Sequence, residues 1–422
     1  MQLKTARIRD RLALACGGLL GGLPVAQAAE PWQIDLGLMN YIEVDRNTGV
    51  ELLVSGAREL DDDGRLQING ELDVITGATP NGATASNVVQ TFTMASGEGS
   101  YRVAPGELPA DDTHMDTRMG VSTLLTLPYS ETTELDYKAH LSMEFDFLSM
   151  GGGVDLRHDF NQRNTTLLLG VDFEYDRVHP VGDIPDPLAS MAPPGDTQPR
   201  GESSVSRRVQ GLGLGFTQIL SQRSLMQIRY GYSRHSGYLT DPYKMLSVID
   251  DTGSNPGATL DYLFEKRPGL RIMQSLYGAY RLNLTGDILT LSYRYLEDDW
   301  DIRSHTLDVK YRYKLDALRY LEPHFRLYRQ QAAEFYRHSL PQSQGLSEFA
   351  SADFRLAEFD ALTLGVQYGK KLPGQRNYRV SLEYYGQFGD SHPADAVGLQ
   401  QQQDLFPRLD VVIFKYVYGF DG

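Results

Sequence analysis

The sequence predicts an all-β fold, an antiparallel transmembrane β-barrel of sixteen strands, with fourteen or eighteen as the neighbouring even counts. Three observations predict it. Segments of about ten residues alternate apolar and polar side chains, as in Leu289 Thr290 Leu291 Ser292 Tyr293 Arg294 Tyr295, and a strand sends successive residues to opposite faces. The polar face carries Arg, Asp and Glu too often to be only a solvated outer surface, so the apolar face needs a solvent other than water. Beyond the N-terminal region no stretch approaches the roughly 18 to 20 continuous apolar residues of a membrane helix, which leaves a closed sheet as the way to satisfy backbone hydrogen bonds in hydrocarbon. The connections, finally, alternate short and long, the pattern of short periplasmic turns and long outer loops. A composition of 41% apolar residues with 25 tyrosines and a negative mean hydropathy is too polar for a helical membrane protein. It also supplies rings for interfacial aromatic girdles.

The chain begins with Lys4, Arg7, Arg9 and Arg11 ahead of an apolar run from Leu12 to Val25, followed by the small-residue site Ala26 Gln27 Ala28. Residues 1–28 therefore read as a secretory signal peptide, and 29–422 as a single barrel domain exported to the outer membrane of a Gram-negative cell. Cys16, the only cysteine, lies inside that signal, and Ala13 stands where a lipoprotein signal carries Leu, so lipidation is not expected. The mature chain then has no disulfide, thiolate chemistry or c-type haem attachment. Losing four basic residues and one acidic residue with the signal moves the formal charge from −15 to −18, which argues against nucleic acid as a partner.

Sixteen stretches qualify as strands in chain order. Gln33 to Val44, Gly49 to Glu59 and Arg65 to Ile75 alternate polar residues with Leu, Val and Ile; Asp61 Asp62 Asp63 Gly64 turns the second into the third. Met115 to Leu127 and Glu134 to Phe145 are joined by Tyr129 Ser130 Glu131. Gly151 to Phe160 and Thr165 to Asp176 alternate aspartates with Val, Leu and Phe around Asn161 Gln162 Arg163 Asn164. Arg208 to Leu220 and Leu225 to Tyr238 meet at Ser221 Gln222 Arg223 Ser224. Within the first of these, Gly211 Leu212 Gly213 Leu214 Gly215 is strand and not a phosphate loop, because glycine there lets a neighbour approach. Leu270 to Leu284 and Ile288 to Leu296 flank Thr285 Gly286 Asp287. Thr306 to Leu315, Leu321 to Arg329, Phe359 to Lys370, Tyr378 to Phe388 and Leu409 to Phe420 complete the set, with Pro373 Gly374 joining the fourteenth to the fifteenth. All long connections fall on the other side: Gly77 to Asp112, Val178 to Ser203, Thr240 to Pro268, Tyr336 to Ser351 and Gly389 to Asp404. Rich in Pro, Gly and Asp, they read as surface loops.

With the apolar face given to lipid, the other face lines a lumen and its charges sort by strand. One wall is acidic, with Glu71, Asp73, Asp136, Glu144, Asp155, Asp172 and Glu174 against Arg118, Lys138 and Arg157. The facing wall is basic, with Arg229, Arg271, Arg281, Arg294, Lys310, Arg312, Lys314 and Arg326 against one acid, Asp308. Opposed charged walls create a transverse field that orients dipolar solutes. The competing reading is that these charges pair and fill a closed lumen, although sixteen strands normally leave an aqueous interior.

His140, Ser142 and Glu144 alternate on one face and resemble a hydrolase constellation, since imidazole beside a hydroxyl can activate a nucleophile. Alternate strand residues stand about 7 Å apart, and these face the lumen, so polar lining is the reading adopted and no catalytic residue is assigned. Asp298, Asp299 and Asp301 around Trp300, and Asp250 with Asp251, could hold a cation or bridge lipopolysaccharide, but such loop carboxylates are usually just solvated. No zinc-ligand spacing and no dinucleotide fingerprint is present, so neither metal nor cofactor is expected.

Several segments resemble the DUF3570 family of Gram-negative envelope proteins of unknown function. They are Ile75 Thr76 Gly77 Ala78 Thr79 Pro80, Ser236 Gly237 Tyr238 Leu239 Thr240 Asp241 Pro242 Tyr243 Lys244, and Ser292 Tyr293 Arg294 Tyr295 with Arg303 Ser304 His305 Thr306. Ala333 Glu334 Phe335 Tyr336 and Ala361 Leu362 Thr363 Leu364 Gly365 add to them. The resemblance implies a β-barrel and supplies no catalytic residues. Asp241, Pro242, Tyr243, Lys244, Arg303 and His305 cluster where strands meet outer loops and suggest a shared mouth. Outer-membrane barrels often end in an aromatic residue read by the insertion machinery; here Phe420 is followed by Asp421 Gly422.

The expected function is a porin-like channel or binding barrel for small polar or charged solutes. The alternatives are a non-conducting barrel that holds a periplasmic or surface protein partner, and a lipid or ester hydrolase. Outer-membrane lipid, lipopolysaccharide and the insertion machinery are the expected surroundings.

Overall fold

A computed structural model describes residues 31–421 apart from 62, 95–98, 194 and 407. The signal peptide read at residues 1–28 lies outside the described residues. Sixteen antiparallel strands close into one barrel. They are Gln33–Glu43, Asn47–Glu59, Arg65–Pro80, Ala110–Ser130, Thr133–Met143, Phe147–Phe160, Thr165–Val178 and Val205–Ser221 in the first half. The second half comprises Ser224–Gly237, Leu270–Leu284, Asp287–Asp298, Arg303–Lys314, Arg319–Gln330, Phe359–Lys371, Asn377–Gly389 and Leu409–Asp421. Each strand pairs with its sequence neighbour, and the first closes on the last with Gln33 opposite Asp421 and Glu43 opposite Val411. Closure leaves the barrel no free edge, the condition for crossing hydrocarbon with strands.

Alternation sets the two faces as the sequence implies. In the eleventh strand Leu291 and Tyr293 are 42% and 48% exposed on the outside, while Thr290, Ser292 and Arg294 line the interior. Leu167, Leu169, Val171 and Phe173 repeat the outer pattern on the seventh strand. Together such positions form the apolar belt that lipid covers. No helix among the described residues is long and apolar enough to cross a membrane, and the barrel needs none.

One expectation requires correction. The third and fourth strands run beyond Ile75 and Met115, pairing as far as Pro80 with Ala110 across a bulge between Gly77 and Thr79. Apolar alternation ceases there because that part of the hairpin stands outside the lipid, yet backbone pairing continues. The long connections, expected as surface loops, are ordered by one another. They pack together into a cap above the barrel, with Gln90–Thr93 paired to Ser100–Val103 and Met245–Ile249 paired to Thr259–Phe264 and to Leu340–Pro341. Phe92, Tyr101, Met245 and Phe264 share one buried cluster, and Leu246, Leu263 and Leu340 share another. These contacts join loops remote in sequence, so no local periodicity announces them.

Candidate functional site

The interior holds a central cavity of about 1280 Å³, bounded by inward residues from the fourth strand round to the fifteenth. Asp136, Asp155, Asp172, Arg229, Arg294, Lys310 and Arg326 all line it, as do Lys138, Arg157 and Asp308. Hydroxyls of Ser275, Tyr277, Thr290, Ser292 and Thr306 fill the intervals. At the periplasmic end a smaller cavity lies beside Asp35, Ser55, Gln67 and Asn377.

Local pairing replaces much of the expected opposition between walls. Lys138 bridges Asp155 at 2.8 Å and Asp172 at 2.6 Å, and Arg157 holds Asp136 at 2.8 Å and Glu134 at 3.0 Å. Arg118 lies 3.6 Å from Glu71 and 3.8 Å from Asp73. Glu174 lies 3.4 Å from His140 and 3.7 Å from Arg207, which also binds Asp176 at 2.6 Å. Most of these partners are on adjacent strands, where direct neighbours on one face have Cβ atoms about 4.5–5.5 Å apart; Lys138 to Asp172 and His140 to Glu174 reach across one intervening strand, still far closer than the two sides of a sixteen-stranded barrel.

The basic wall likewise contains more carboxylates than Asp308. Glu322 binds Arg312 at 2.6 Å, and Asp298 binds Arg271 at 2.5 Å beneath the Trp300 ring. Asp308 binds Arg326 at 2.7 Å and His324 at 2.8 Å, and His324 reaches Glu383 at 3.1 Å. Glu322 and His324 alternate with Arg326 in the sequence, so face assignment alone could have found both. Arg207, Arg379 and Lys415 were missed in the same way; the latter two pair with Asp35 and Glu383. Lys314 sits at the periplasmic turn, where its backbone N–H donates to Asp287 at 2.8 Å. Arg281 faces inward beside Thr290.

Five of the other candidates have local duties. His140 contacts Ser149 at 3.5 Å as well as Glu174, and Ser149, not Ser142, is its hydroxyl neighbour. Asp298 accepts from the backbone of Trp300 and Ile302, and Asp299 from that of Ile272. Asp250 accepts from Thr252 and Asn255, and Asp251 from Ser343. These carboxylates order turns.

Above the central cavity a second one, about 610 Å³, is bounded below by Glu43, Asp116 and Glu144 and roofed by Asp241, Tyr243, Lys244 and Arg355. Here the family motif ties strand ends to the cap. Lys244 donates to the Pro80 carbonyl at 2.5 Å, and Tyr243 donates to Asp146. Arg355 binds Asp241 at 2.7 Å and Asp353 at 2.5 Å, while Arg267 joins Asp353 and Glu265, each at 2.7 Å. Burial pushes the Glu265 carboxyl up to about 7 despite Arg267. Burial acts the same way on Asp353, but Arg355, Lys244 and Arg267 outweigh it and hold that carboxyl far below the usual range. Asp241 is also held low, by Lys244, Arg355 and Arg267 against burial. His305 departs from the expected mouth group: it faces outward, with Nδ1 2.6 Å from the Tyr293 hydroxyl. Arg303 pairs across from Glu297 at the same rim.

A closed barrel with an apolar outer belt, a polar interior, short turns on one rim and capped long loops on the other is an outer-membrane β-barrel protein of the Gram-negative envelope. That setting implies lipid, lipopolysaccharide and the barrel-insertion machinery as its general surroundings. The chain belongs to the family described as "Protein of unknown function (DUF3570)", whose profile matches residues 10–420. No curated protein matches it. Among solved structures it is similar to a mutant ferric enterobactin receptor (PfeA) from Pseudomonas aeruginosa, with 12% identity and a TM-score of 0.43 over 86% of this chain and 54% of that one. The siderophore receptor PirA from Acinetobacter baumannii matches at 10% identity and TM-score 0.41, again over 86% and 54%. A bacterial polysaccharide outer membrane secretin matches at 9% identity and TM-score 0.44, over 94% of this chain and 100% of that one. The chain thus spans about half the length of these siderophore receptors.

Proposed function

We propose that the barrel passes or holds small polar and charged solutes in its lumen. The observation that carries this reading is the central cavity of about 1280 Å³, walled by hydroxyls, carboxylates and cations. A cavity of that size exceeds most small-molecule sites, which run about 300–1,000 Å³, and its polar lining suits hydrated solutes. Glu174 and Ser149 both approach the same ring nitrogen of His140, Nε2, at 3.4 and 3.5 Å, so the carboxylate does not orient the imidazole from its other nitrogen as a hydrolase triad requires, and we propose lining and no enzymatic role.

Liposomes carrying the purified barrel test this reading by swelling in neutral sugars of increasing size. The expected result is influx that slows as the sugar grows. Swelling no faster than empty liposomes, together with no solute retained by the barrel in equilibrium dialysis, would overturn it.

The packed cap favours a second reading, a non-conducting barrel whose outer face holds a surface partner. Its four apolar clusters make a fixed surface, not a set of loose loops. Absent flux combined with a stoichiometric co-purifying protein would select it.

A further inference from the structure

The central cavity is lined by six cations, Lys138, Arg157, Arg229, Arg294, Lys310 and Arg326, and four carboxylates, Asp136, Asp155, Asp172 and Asp308. Every one of the four carboxylates has a cation within 2.8 Å. Among the described residues, Arg229, Arg294 and Lys310 have no carboxylate within ion-pair distance, and neither has Arg281. Positive charge is therefore left over, and it lies on strands nine to twelve.

Register arranges these cations in two rungs. Arg229 and Arg294 are both directly opposite Tyr277, one on each side. Arg281 and Lys310 are both directly opposite Thr290. In each rung two strand spacings separate the cation backbones by about 10 Å, and four residues along the eleventh strand set the rungs about 13 Å apart. Beside Arg229 the wall is bare: Gly213 faces Gly231, and a Cβ built on Gly213 would meet nothing within 4 Å. That gap leaves room for a solute against the first rung.

We propose that these two rungs form a binding track for small organic oxyanions carrying carboxylate or phosphate groups. The inference rests on reading the lumen as a solute path. Guanidinium forks match both oxyanions in geometry, and the hydroxyls of Tyr277 and Thr290 stand between the cations to accept or donate to the rest of the solute. Uncompensated cations on a low-dielectric wall also focus potential on the solution in the lumen, as basic rings do in anion pores.

The test uses the full-length barrel in planar bilayers under a potassium chloride gradient, with citrate, glycerol phosphate and glucose as added solutes. The expected wild type prefers chloride and is blocked by citrate and glycerol phosphate but not by glucose. Arg229→Gln with Arg294→Gln should weaken citrate block by roughly 3- to 10-fold for each cation removed, the span between exposed ion pairs and charge-assisted hydrogen bonds. Arg329→Gln, which alters an outward pair with Asp360, should leave block unchanged and controls for folding. Block by one oxyanion class alone narrows the ligand to that class. A conducting wild type that prefers potassium, or whose block survives both substitutions, overturns the track while leaving the path intact. If no solute or ion passes at all, the path reading fails; calorimetric titration of citrate into the same barrel then decides the track, supported by binding lost in the double variant and overturned by no binding.

Discussion

Arg294 holds its guanidinium 5.5 Å from the ring centre of Tyr277, and the same tyrosine lies directly opposite Arg229 on its other side. One ring thus spaces two cations that have no carboxylate of their own. A cation over an aromatic face gains about 0.5–1 kcal/mol at exposed sites, which steadies Arg294 without neutralising it. Tyr277→Phe should keep the single-channel conductance and chloride preference, since the ring remains. Tyr277→Ala should raise the conductance by widening the lumen and broaden the distribution of blocked dwell times as Arg294 loses its support. Equal behaviour of the two variants would show that the ring has no positioning role.

On the acidic wall, Lys138 compensates two aspartates at once. Lys138→Met removes one positive charge from the cavity and leaves Asp155 and Asp172 unpaired, so the reversal potential should move toward cation preference. Asp136→Asn frees Arg157 from its principal partner and should move it the opposite way. Shifts of the same sign in the two variants would contradict the pairing described.

The cap depends on charges taken out of water together. Arg267 is nearly enclosed between Glu265 and Asp353, and removing one member of a buried pair typically costs ~3–5 kcal/mol. Arg267→Ala should therefore accelerate hydrogen exchange in residues 238–269 and 331–358 while the barrel strands keep their protection. Uniform loss of protection throughout the protein would mean that cap and barrel do not unfold separately.

The same cluster makes cap stability depend on pH. Glu265 has its carboxyl raised to about 7 from an ordinary 4.5, so the folded cap binds a proton more tightly there than the unfolded loop does. Its contribution is complete below 4.5 and is lost as pH rises toward about 7. Asp353 and Asp241 are depressed from 3.8; their contribution is present above that value and is lost as pH falls through their lowered values. Cap protection, corrected for intrinsic exchange, should therefore decline between pH 4.5 and 7, and Glu265→Gln should flatten that decline. An unchanged slope in the variant would assign the dependence to another group.

Much of the barrel was legible because its rules are local. Leu291 outside and Arg294 inside follow from alternation alone, and pairing between consecutive strands needs only hairpins, so sixteen segments gave sixteen neighbours. Less could be read where contacts skip along the chain. The burial of Phe92 with Met245 and Phe264 joins three segments without shared periodicity, and the cap escaped detection. Lining positions could be assigned to a face, but their partners could not. That Lys138 reaches Asp172 two strands away depends on tilt and reach, whereas the inward placement of Glu322 beside Arg312 follows from alternation alone. His305 shows the limit at strand ends, where motif proximity suggested the mouth and the side chain turns to the outer rim.

Passage of solutes through the lumen beneath the cap is open to direct measurement. Pro80 and Ala110 are paired across the neck of the 81–109 segment, so that segment can be replaced by a two-residue turn without moving the strands. Planar-bilayer conductance of the wild type and of this shortened protein is the deciding measurement. A solute-passing lumen should give discrete conductance steps in the wild type and larger or longer-lived ones in the shortened form. Electrically silent insertion of both, with circular dichroism and heat-modifiable migration confirming folded barrels, would contradict it.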